Sequence, residues 1–249
     1  MVKLTRKKTG IEGLDMLLPK GVPSNHLILV SGQAGAGKSI MSMQFLVAGV
    51  QELGEKGLFI SFEQTRDDIV AQAENFKWNM NKLEKEGKIK IMTFNPNKDH
   101  VLDMLKHIDE VIKTFKPDRI VVDSITTYSI YAETLTFFDT LMNYGLKKEN
   151  LHLAPSPRSV SRKAITDILT KIKSYNLLAF IISELPENSE YLSRDTISEF
   201  FCDGVILLKH VPIGDSLNRS IEVRKMRQVR MREGSRSYNI TKKGIVIEI

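Results

Sequence analysis

The sequence predicts an α/β fold with a mostly parallel sheet, helices on both of its faces, and antiparallel strands appended at the C-terminal edge. Short continuous apolar segments alternate with helical patterns through most of the chain, which is typical of buried parallel strands. The C-terminal part instead holds strand-like segments joined by short polar turns. The 249 residues are 42% hydrophobic, which suits one sizeable core, so we expect a single domain over 1–249.

The individual elements follow from local pattern. Each expected strand is a short run rich in Ile, Val, Leu and Phe, and each expected helix repeats apolar residues at helical spacing up to a Gly or Pro breaker. Strands are expected at 27–30, 57–62, 89–94, 119–123, 177–183, 205–211, 220–226, 235–240 and 244–247. Helices are expected over 39–53, 67–76, 82–87, 98–115, 133–148 and 159–175.

A glycine-rich loop joins the first of these strands to the first helix. Residues 32–39 fit G-x-x-x-x-G-K-[ST], the phosphate-binding loop of nucleotide hydrolases, and both flanking elements that the motif requires are predicted. We expect Lys38 to bridge the outer phosphates of ATP and the Ser39 hydroxyl to ligate Mg²⁺. The alternative is a glycine-rich turn that holds no ligand. The expected nucleotide-binding residues are Gly32, Gln33, Ala34, Gly35, Ala36, Gly37, Lys38, Ser39 and Ile40.

Acidic residues close three of the apolar strands, where α/β sheets place ligands. Asp123 ends R-I-V-V-D, as in a Walker B strand, and is expected beside Mg²⁺; the alternative is a turn cap made with Ser124. Glu63 is expected to be the base that activates water, or else a plain surface glutamate. Ser183 and Glu184 end a third strand near the γ-phosphate or the water, unless they form a cap or turn pair.

Composition limits the classes of partner and compartment. The net charge of +6 gathers in part near residues 224–236, which suits nucleic acid, nucleotide phosphate or a solvated charged face. No apolar run approaches the length that spans a bilayer, and the basic start lacks the hydrophobic stretch of a signal peptide, so we expect a cytoplasmic protein with no membrane partner. The single cysteine, Cys202, rules out an internal disulfide and is expected in the core.

The order and spacing of several short motifs resemble the KaiC-like branch of the RecA/RadA ATPase superfamily over nearly the whole length. The matching segments are T-G-I-E-G-L-D at 9–15, S-G-Q-A-G-A-G-K-S at 31–39, F-I-S-F-E at 59–63, V-V-D-S at 121–124, I-I-S-E at 181–184, E-F-F-C-D-G-V-I-L-L at 199–208, K-M-R at 225–227 and I-T-K-K-G-I at 240–245. The resemblance implies a RecA-like P-loop NTPase core, with ATP and Mg²⁺ at subunit boundaries of a hexameric ring. It also implies that Lys225 and Arg227 reach the neighbour's γ-phosphate as a finger supplied in trans; from the residues alone they would be edge-strand charges.

The chain departs from that family's pattern in ways that affect activity. KaiC-like proteins usually carry two adjacent glutamates after the second strand, whereas Glu63 is followed here by Gln64, so hydrolysis is expected to be slow. Glu199 and Phe200 stand where the second half of KaiC carries its autophosphorylated Ser and Thr. Autophosphorylation there is therefore not expected, and a clock role is disfavoured.

Three functions remain open at the level of sequence. The leading one is an ATP-driven oligomeric switch or motor acting on an unidentified protein partner. The others are a RecA/RadA-like protein acting on DNA and a nucleotide-binding scaffold with little hydrolysis. DNA affinity is expected to be weak and salt-sensitive, because the segment 184–199 is mostly acidic and the more basic segment 147–163 lacks aromatic residues for base stacking.

Overall fold

The computed structural model describes residues 5–95, 99, 101–144, 156–187, 189–213 and 216–248. Its strands are β1 (Arg6–Lys7), β2 (Val22–Pro23), β3 (Leu27–Gly32), β4 (Gly57–Ser61), β5 (Ile89–Thr93), β6 (Arg119–Asp123), β7 (Leu178–Glu184), β8 (Gly204–Ile213), β9 (Ser216–Met226), β10 (Arg236–Thr241) and β11 (Gly244–Ile247). Its helices are α1 (Leu14–Leu17), α2 (Lys38–Leu53), α3 (Arg66–Glu74), α4 (Met80–Lys85), α5 (Val101–Phe115), α6 (Ile125–Tyr144), α7 (Pro157–Ser174) and α8 (Ser198–Phe201).

The described strands form a nine-stranded sheet in the order β11-β10-β9-β8-β3-β7-β6-β4-β5, and β1 pairs with β2 separately. The six strands from β8 to β5 run parallel to their neighbours. The strands β9, β10 and β11 are joined antiparallel to the β8 edge. The predicted fold class is thereby confirmed.

Helices cover both faces of the parallel strands, which explains why those strands are apolar along their whole length. The helices α2, α3 and α4 contribute to one buried apolar cluster, and α5, α6 and α7 contribute to the other. Phe45 of α2 stacks on Phe180 of β7 with ring centroids 3.9 Å apart, so the helix that follows the glycine-rich loop is fixed against the centre of the sheet. None of the described helices is long and apolar enough to cross a bilayer.

Two differences from the predicted elements matter for the site. The helix expected over 133–148 begins at Ile125, immediately after β6, because the Ser124 hydroxyl accepts from the Thr127 N–H at 3.1 Å and caps the first turn. Its expected end at 145–148 lies outside the described residues. The short elements β1, β2, α1 and α8 were not predicted, since two to four residues carry too little periodicity to be recognised.

The register of the parallel strands brings their carboxyl ends to one edge of the sheet. Ser61 of β4 lies opposite Asp123 of β6, and Gly32 of β3 lies opposite Glu184 of β7. The strand ends singled out by sequence therefore face the same side of the molecule as the glycine-rich loop.

Candidate active site

The glycine-rich loop leaves β3 and enters α2 with two glycines in left-handed backbone. Gly35 has φ +74° and Gly37 has φ +87°, a conformation that residues with a Cβ rarely adopt. A Cβ on Gly37 would also lie 3.1 Å from Cδ1 of Ile240. The backbone conformation thus favours glycine at this point, as a cradle of backbone N–H groups requires, and the Ile240 side chain would have to shift to admit a Cβ.

The remaining loop residues tie the cradle to its surroundings. Gln33 accepts from the His210 N–H at 2.8 Å through its side-chain oxygen, and the Ala36 carbonyl accepts from the buried Tyr238 hydroxyl. Gly32 ends β3 so close to the Leu208 carbonyl that a Cβ there would clash. These contacts hold the loop against β8 and β10.

Lys38 is 7% exposed, and its ammonium lies between the loop and a set of carboxylates. Its Nζ donates to the Gln33 carbonyl at 2.9 Å. Burial lowers the pKa of Lys38, while Glu184, Asp123 and Glu63 act in the opposite direction. A cation held at this position is suited to the outer phosphates of a nucleotide.

Asp123 ends β6 and is 2% exposed. Burial and the nearby Glu63 carboxylate raise its pKa to about 7, although the Ser39 hydroxyl donates to it and Lys38 also favours the charged form. The alternative role for Asp123 was to cap the turn that follows β6. Ser124 caps that turn instead. Hydroxyl and carboxylate oxygens side by side are the donor set that Mg²⁺ prefers, so Ser39 and Asp123 fit such an ion.

Glu63 follows β4, and its side chain is held by two hydroxyl groups. Ser124 and Thr127 both donate to its Oε1 from the start of α6. The carboxylate is therefore oriented toward the edge where Asp123 ends, which a freely solvated surface glutamate would not be. Sequence reasoning missed Ser124 and Thr127 as site residues; the only signal was a pair of hydroxyl residues shortly after the strand that ends at Asp123.

Glu184 ends β7 beside Gly32, and its N–H donates to the Thr126 hydroxyl at 3.0 Å. Its side chain lines the same cleft as Lys38, and Gln72 of α3 also reaches this cleft, a residue that sequence reasoning did not select. The cleft has a volume of about 260 Å³. The described residues that line it are Ala34, Gly35, Gly37, Lys38, Ser39, Ile40, Glu63, Gln64, Gln72, Asp123 and Glu184.

Lys225 and Arg227 are not part of this cleft. Lys225 pairs with Val205 near the start of β8, and the neighbouring Gly204 lies opposite Ile28 at the amino end of β3. The glycine-rich loop begins at the other end of β3, four residues away, which corresponds to about 13 Å along a strand. Within one copy of the chain, Lys225 and Arg227 therefore lie near the amino ends of the parallel strands, and the glycine-rich loop lies at their carboxyl ends.

Both cations are bonded to the segment around α8. The Lys225 ammonium donates to the carbonyls of Glu199 at 2.8 Å and Cys202 at 2.6 Å, and burial together with the adjacent Arg227 lowers its pKa. Arg227 donates to Asp203 Oδ1 at 3.2 Å and to the Phe200 carbonyl at 3.3 Å. They are thus oriented by a specific segment rather than standing free on a strand edge.

Comparison with known proteins identifies the family of the chain. A family model described as the KaiC ATPase matches residues 7–145 and 150–249. The circadian clock oscillator protein KaiC of Synechococcus elongatus is 28% identical over 252 residues, which cover 98% of this chain and 44% of the relative. The KaiC of Parathermosynechococcus lividus is 27% identical over 252 residues, covering 98% of this chain and 42% of the relative. The chain thus spans less than half the length of these relatives.

A solved structure matches along its full length. The crystal structure of a KaiC-like protein from the hyperthermophilic archaeon Pyrococcus horikoshii superposes with a TM-score of 0.81 at 29% identity, covering 99% of this chain and 100% of that one. The likeness extends from the glycine-rich loop to the appended C-terminal strands. With a matching family model over most of its length, a KaiC-like core and a nucleotide cleft, this chain belongs to the KaiC family of ATPases.

Proposed function

We propose that this protein hydrolyses ATP with Mg²⁺ at the boundaries between copies of itself in a hexameric ring, and that the ring passes the resulting change of shape to a protein partner. The observation that carries the proposal is the division of the catalytic groups within one chain. The phosphate loop and three carboxylates meet at one edge of the sheet, while Lys225 and Arg227 lie at the opposite edge. A complete site then needs two copies arranged head to tail.

The residues of one copy have separable roles in this proposal. The loop N–H groups and Lys38 bind the phosphates, and Ser39 and Asp123 hold Mg²⁺, which when bound neutralises phosphate charge. Glu63, oriented by its two hydroxyl donors, accepts a proton from the attacking water. Glu184 stands close enough to Lys38 and Asp123 to influence both electrostatically and to position groups near the γ-phosphate. Gln64 in place of a second carboxylate favours slow turnover.

The neighbouring copy supplies the charges that stabilise the transition state. Lys225 and Arg227 lie near the amino end of the parallel strands, and their positive charge would balance negative charge developing on the transferred phosphoryl group. Ring formation with ATP and Mg²⁺ is checked by measuring the mass in solution with and without both. A mass that stays that of one chain under both conditions contradicts the ring.

Single substitutions first separate binding from hydrolysis. Lys38→Ala should abolish tight ATP binding, because it removes the buried cation between loop and carboxylates. Glu63→Gln should leave ATP affinity nearly intact and slow hydrolysis, since a general base acts mainly in the transition state. Nucleotide titration and phosphate release measure the two effects. Unchanged affinity in folded Lys38→Ala protein would refute the assignment of the loop.

Mixing two inactive variants then tests action in trans. The double variant Lys225→Ala with Arg227→Ala should bind ATP without hydrolysing it, while Glu63→Gln fails for the complementary reason. In an equimolar mixed ring, about a quarter of the boundaries pair an intact Glu63 with an intact neighbouring finger, so roughly that share of activity should return. The matched control Arg224→Ala removes an exposed charge from the same strand and should stay active without mixing.

The mixing experiment has a clear negative outcome. If the two variants form mixed oligomers and each remains folded in thermal unfolding, yet no ratio restores phosphate release, the finger does not act across a boundary. Lys225 and Arg227 would then serve only to hold the segment around α8.

A further inference from the structure

A second cleft lies outside the nucleotide site, between the helices α6 and α7 and the segment that follows β7. Its volume is about 330 Å³, larger than that of the nucleotide cleft. Three arginines converge on it from two elements, Arg158 and Arg162 from the start of α7 and Arg194 from the segment after β7. Hydroxyl groups of Ser129, Ser161 and Thr196 complete much of its polar lining.

The arginine charges in this cleft are not neutralised by described residues. None of the three guanidinium groups forms an ion pair within the part of the chain that the structure describes. The Nε of Arg162 is buried with no hydrogen-bond partner there, and its Nη2 makes only a 3.3 Å contact to the Thr196 hydroxyl. A buried donor without an acceptor costs free energy, which an incoming acceptor would recover.

The two carboxylates at the cleft do not offset this charge equally. Asp195 accepts from the N–H groups of Ile197 at 2.8 Å and Ser198 at 2.7 Å and from the Ser198 hydroxyl at 2.8 Å, so its oxygens are engaged by the turn that leads into α8. Glu133 of α6 is the other acid among the lining residues. Three arginines and two acids line the cleft, and one of the acids, Asp195, is already hydrogen-bonded to backbone N–H groups. The net charge of the cleft is therefore positive.

We propose that this cleft is a binding site for the phosphate group of a small phosphorylated ligand, distinct from the ATP site. Guanidinium forks match phosphate oxygens, and the neighbouring hydroxyls can donate to the same group. The volume lies at the lower end of the range for small-molecule sites, which suits a compact phosphorylated molecule.

A nucleic acid strand fits the cleft less well. No aromatic side chain is among the described residues that line it, so bases would lack a stacking surface. The exposed Glu187 and Glu190 stand in the same segment as Arg194 and would repel a phosphate chain running along it. The positive charge is confined to the cleft, and acidic residues flank it. This arrangement favours a small phosphorylated molecule over an extended nucleic acid strand.

The probe for this site is inorganic pyrophosphate, titrated calorimetrically without Mg²⁺ into Lys38→Ala protein so that the nucleotide loop contributes little. Arg162→Gln and Arg194→Gln, each in that background, should weaken binding about tenfold or more, because each removes charge-assisted hydrogen bonds to phosphate. The matched control is Lys163→Gln, which removes one positive charge from the same helix at an exposed side chain paired with Asp167. Its affinity should remain within a factor of about two of the parent.

Four results would overturn the proposal. The site is refuted if pyrophosphate does not bind at millimolar concentration. It is also refuted if both arginine variants bind pyrophosphate as well as the parent protein does. Equal weakening by Lys163→Gln reduces the effect to general charge. A single-stranded oligonucleotide that binds more tightly than pyrophosphate and loses affinity in the same variants assigns the cleft to nucleic acid instead. Because Arg194 is exposed, its variant keeps the test valid if Arg162→Gln fails to fold. The binding measurements do not depend on ATP hydrolysis, so they test this site separately from the proposed ATPase activity.

Discussion

Replacing Arg119 by methionine should destabilise the fold by about 3–5 kcal/mol, because its guanidinium is a buried junction between three parts of the chain. Arg119 begins β6 and is 0% exposed. Its Nη1 donates to the carbonyls of Thr9 at 3.0 Å and Phe45 at 2.9 Å, and its Nη2 donates to the Lys8 carbonyl at 2.7 Å. Its Nε pairs with Glu55.

The magnitude follows from what methionine would leave behind. Methionine restores most of the apolar contact, including that over the Phe45 ring, where the guanidinium carbon lies 4.5 Å from the centroid. Three carbonyls lose their donors, and at the lower end of the cost of a buried unpaired group, about 1–1.5 kcal/mol each, they account for the expected loss. Glu55 keeps a partner in Lys7 at 2.7 Å, which limits the loss from the ion pair. Arg119→Lys should lie between, because one ammonium cannot reach all four acceptors.

Urea unfolding at fixed protein concentration and without nucleotide measures the difference in free energy of unfolding. The control is Arg66→Met, which removes an exposed arginine paired with Glu84 and should cost about 0–1 kcal/mol. A loss for Arg119→Met below about 1 kcal/mol, or equal to that of the control, would refute the claim that this guanidinium stabilises the fold through its buried hydrogen bonds.

Two further predictions concern the nucleotide site. Ser124→Ala combined with Thr127→Val should lower kcat about tenfold or more with little change in ATP affinity, because Glu63 loses both hydroxyl donors. Unchanged phosphate release would show that these hydroxyls do not position Glu63. Gly37→Ala should weaken ATP binding strongly, since its φ is +87°, whereas Gly54→Ala, at φ +67° with open space around it, should lose about 1 kcal/mol of stability but keep ATP affinity. Equal ATP affinity in the two glycine variants would contradict the steric argument.

The carboxylates of the nucleotide cleft could be placed from sequence because they follow apolar strands. Strands that run parallel must end at one edge, so Glu63, Asp123 and Glu184 had to converge once the sheet was predicted. Their roles are proposals that rest on this geometry. The hydroxyls that hold Glu63 could not be placed, because Ser and Thr next to a strand bond equally well to local backbone, and only tertiary packing selects the partner.

The surroundings of Arg119, in contrast, could not be predicted from the sequence. In R-I-V-V-D the arginine stands at the start of an apolar strand, and the sequence pattern does not show which groups it contacts. The structure buries it, because the carbonyls of Lys8, Thr9 and Phe45 converge there from distant parts of the chain. A buried charge is tolerated only when such acceptors are assembled around it, and no local pattern records that assembly.

The bonds that hold Lys225 and Arg227 do not prevent them from reaching a neighbouring copy. An ammonium has three donors and Lys225 gives two to the carbonyls of Glu199 and Cys202; a guanidinium has five and Arg227 gives two to Asp203 and the Phe200 carbonyl. Within the described part of the chain, both side chains therefore retain unused donors while these bonds hold them in position. Although burial opposes its ionisation, the pKa of Asp203 is lowered by Lys173 and the Leu27 N–H, so it remains a charged anchor for Arg227. The segment around α8 thus orients the two cations in advance, and docking on a neighbour's phosphate would require no bond to be broken first.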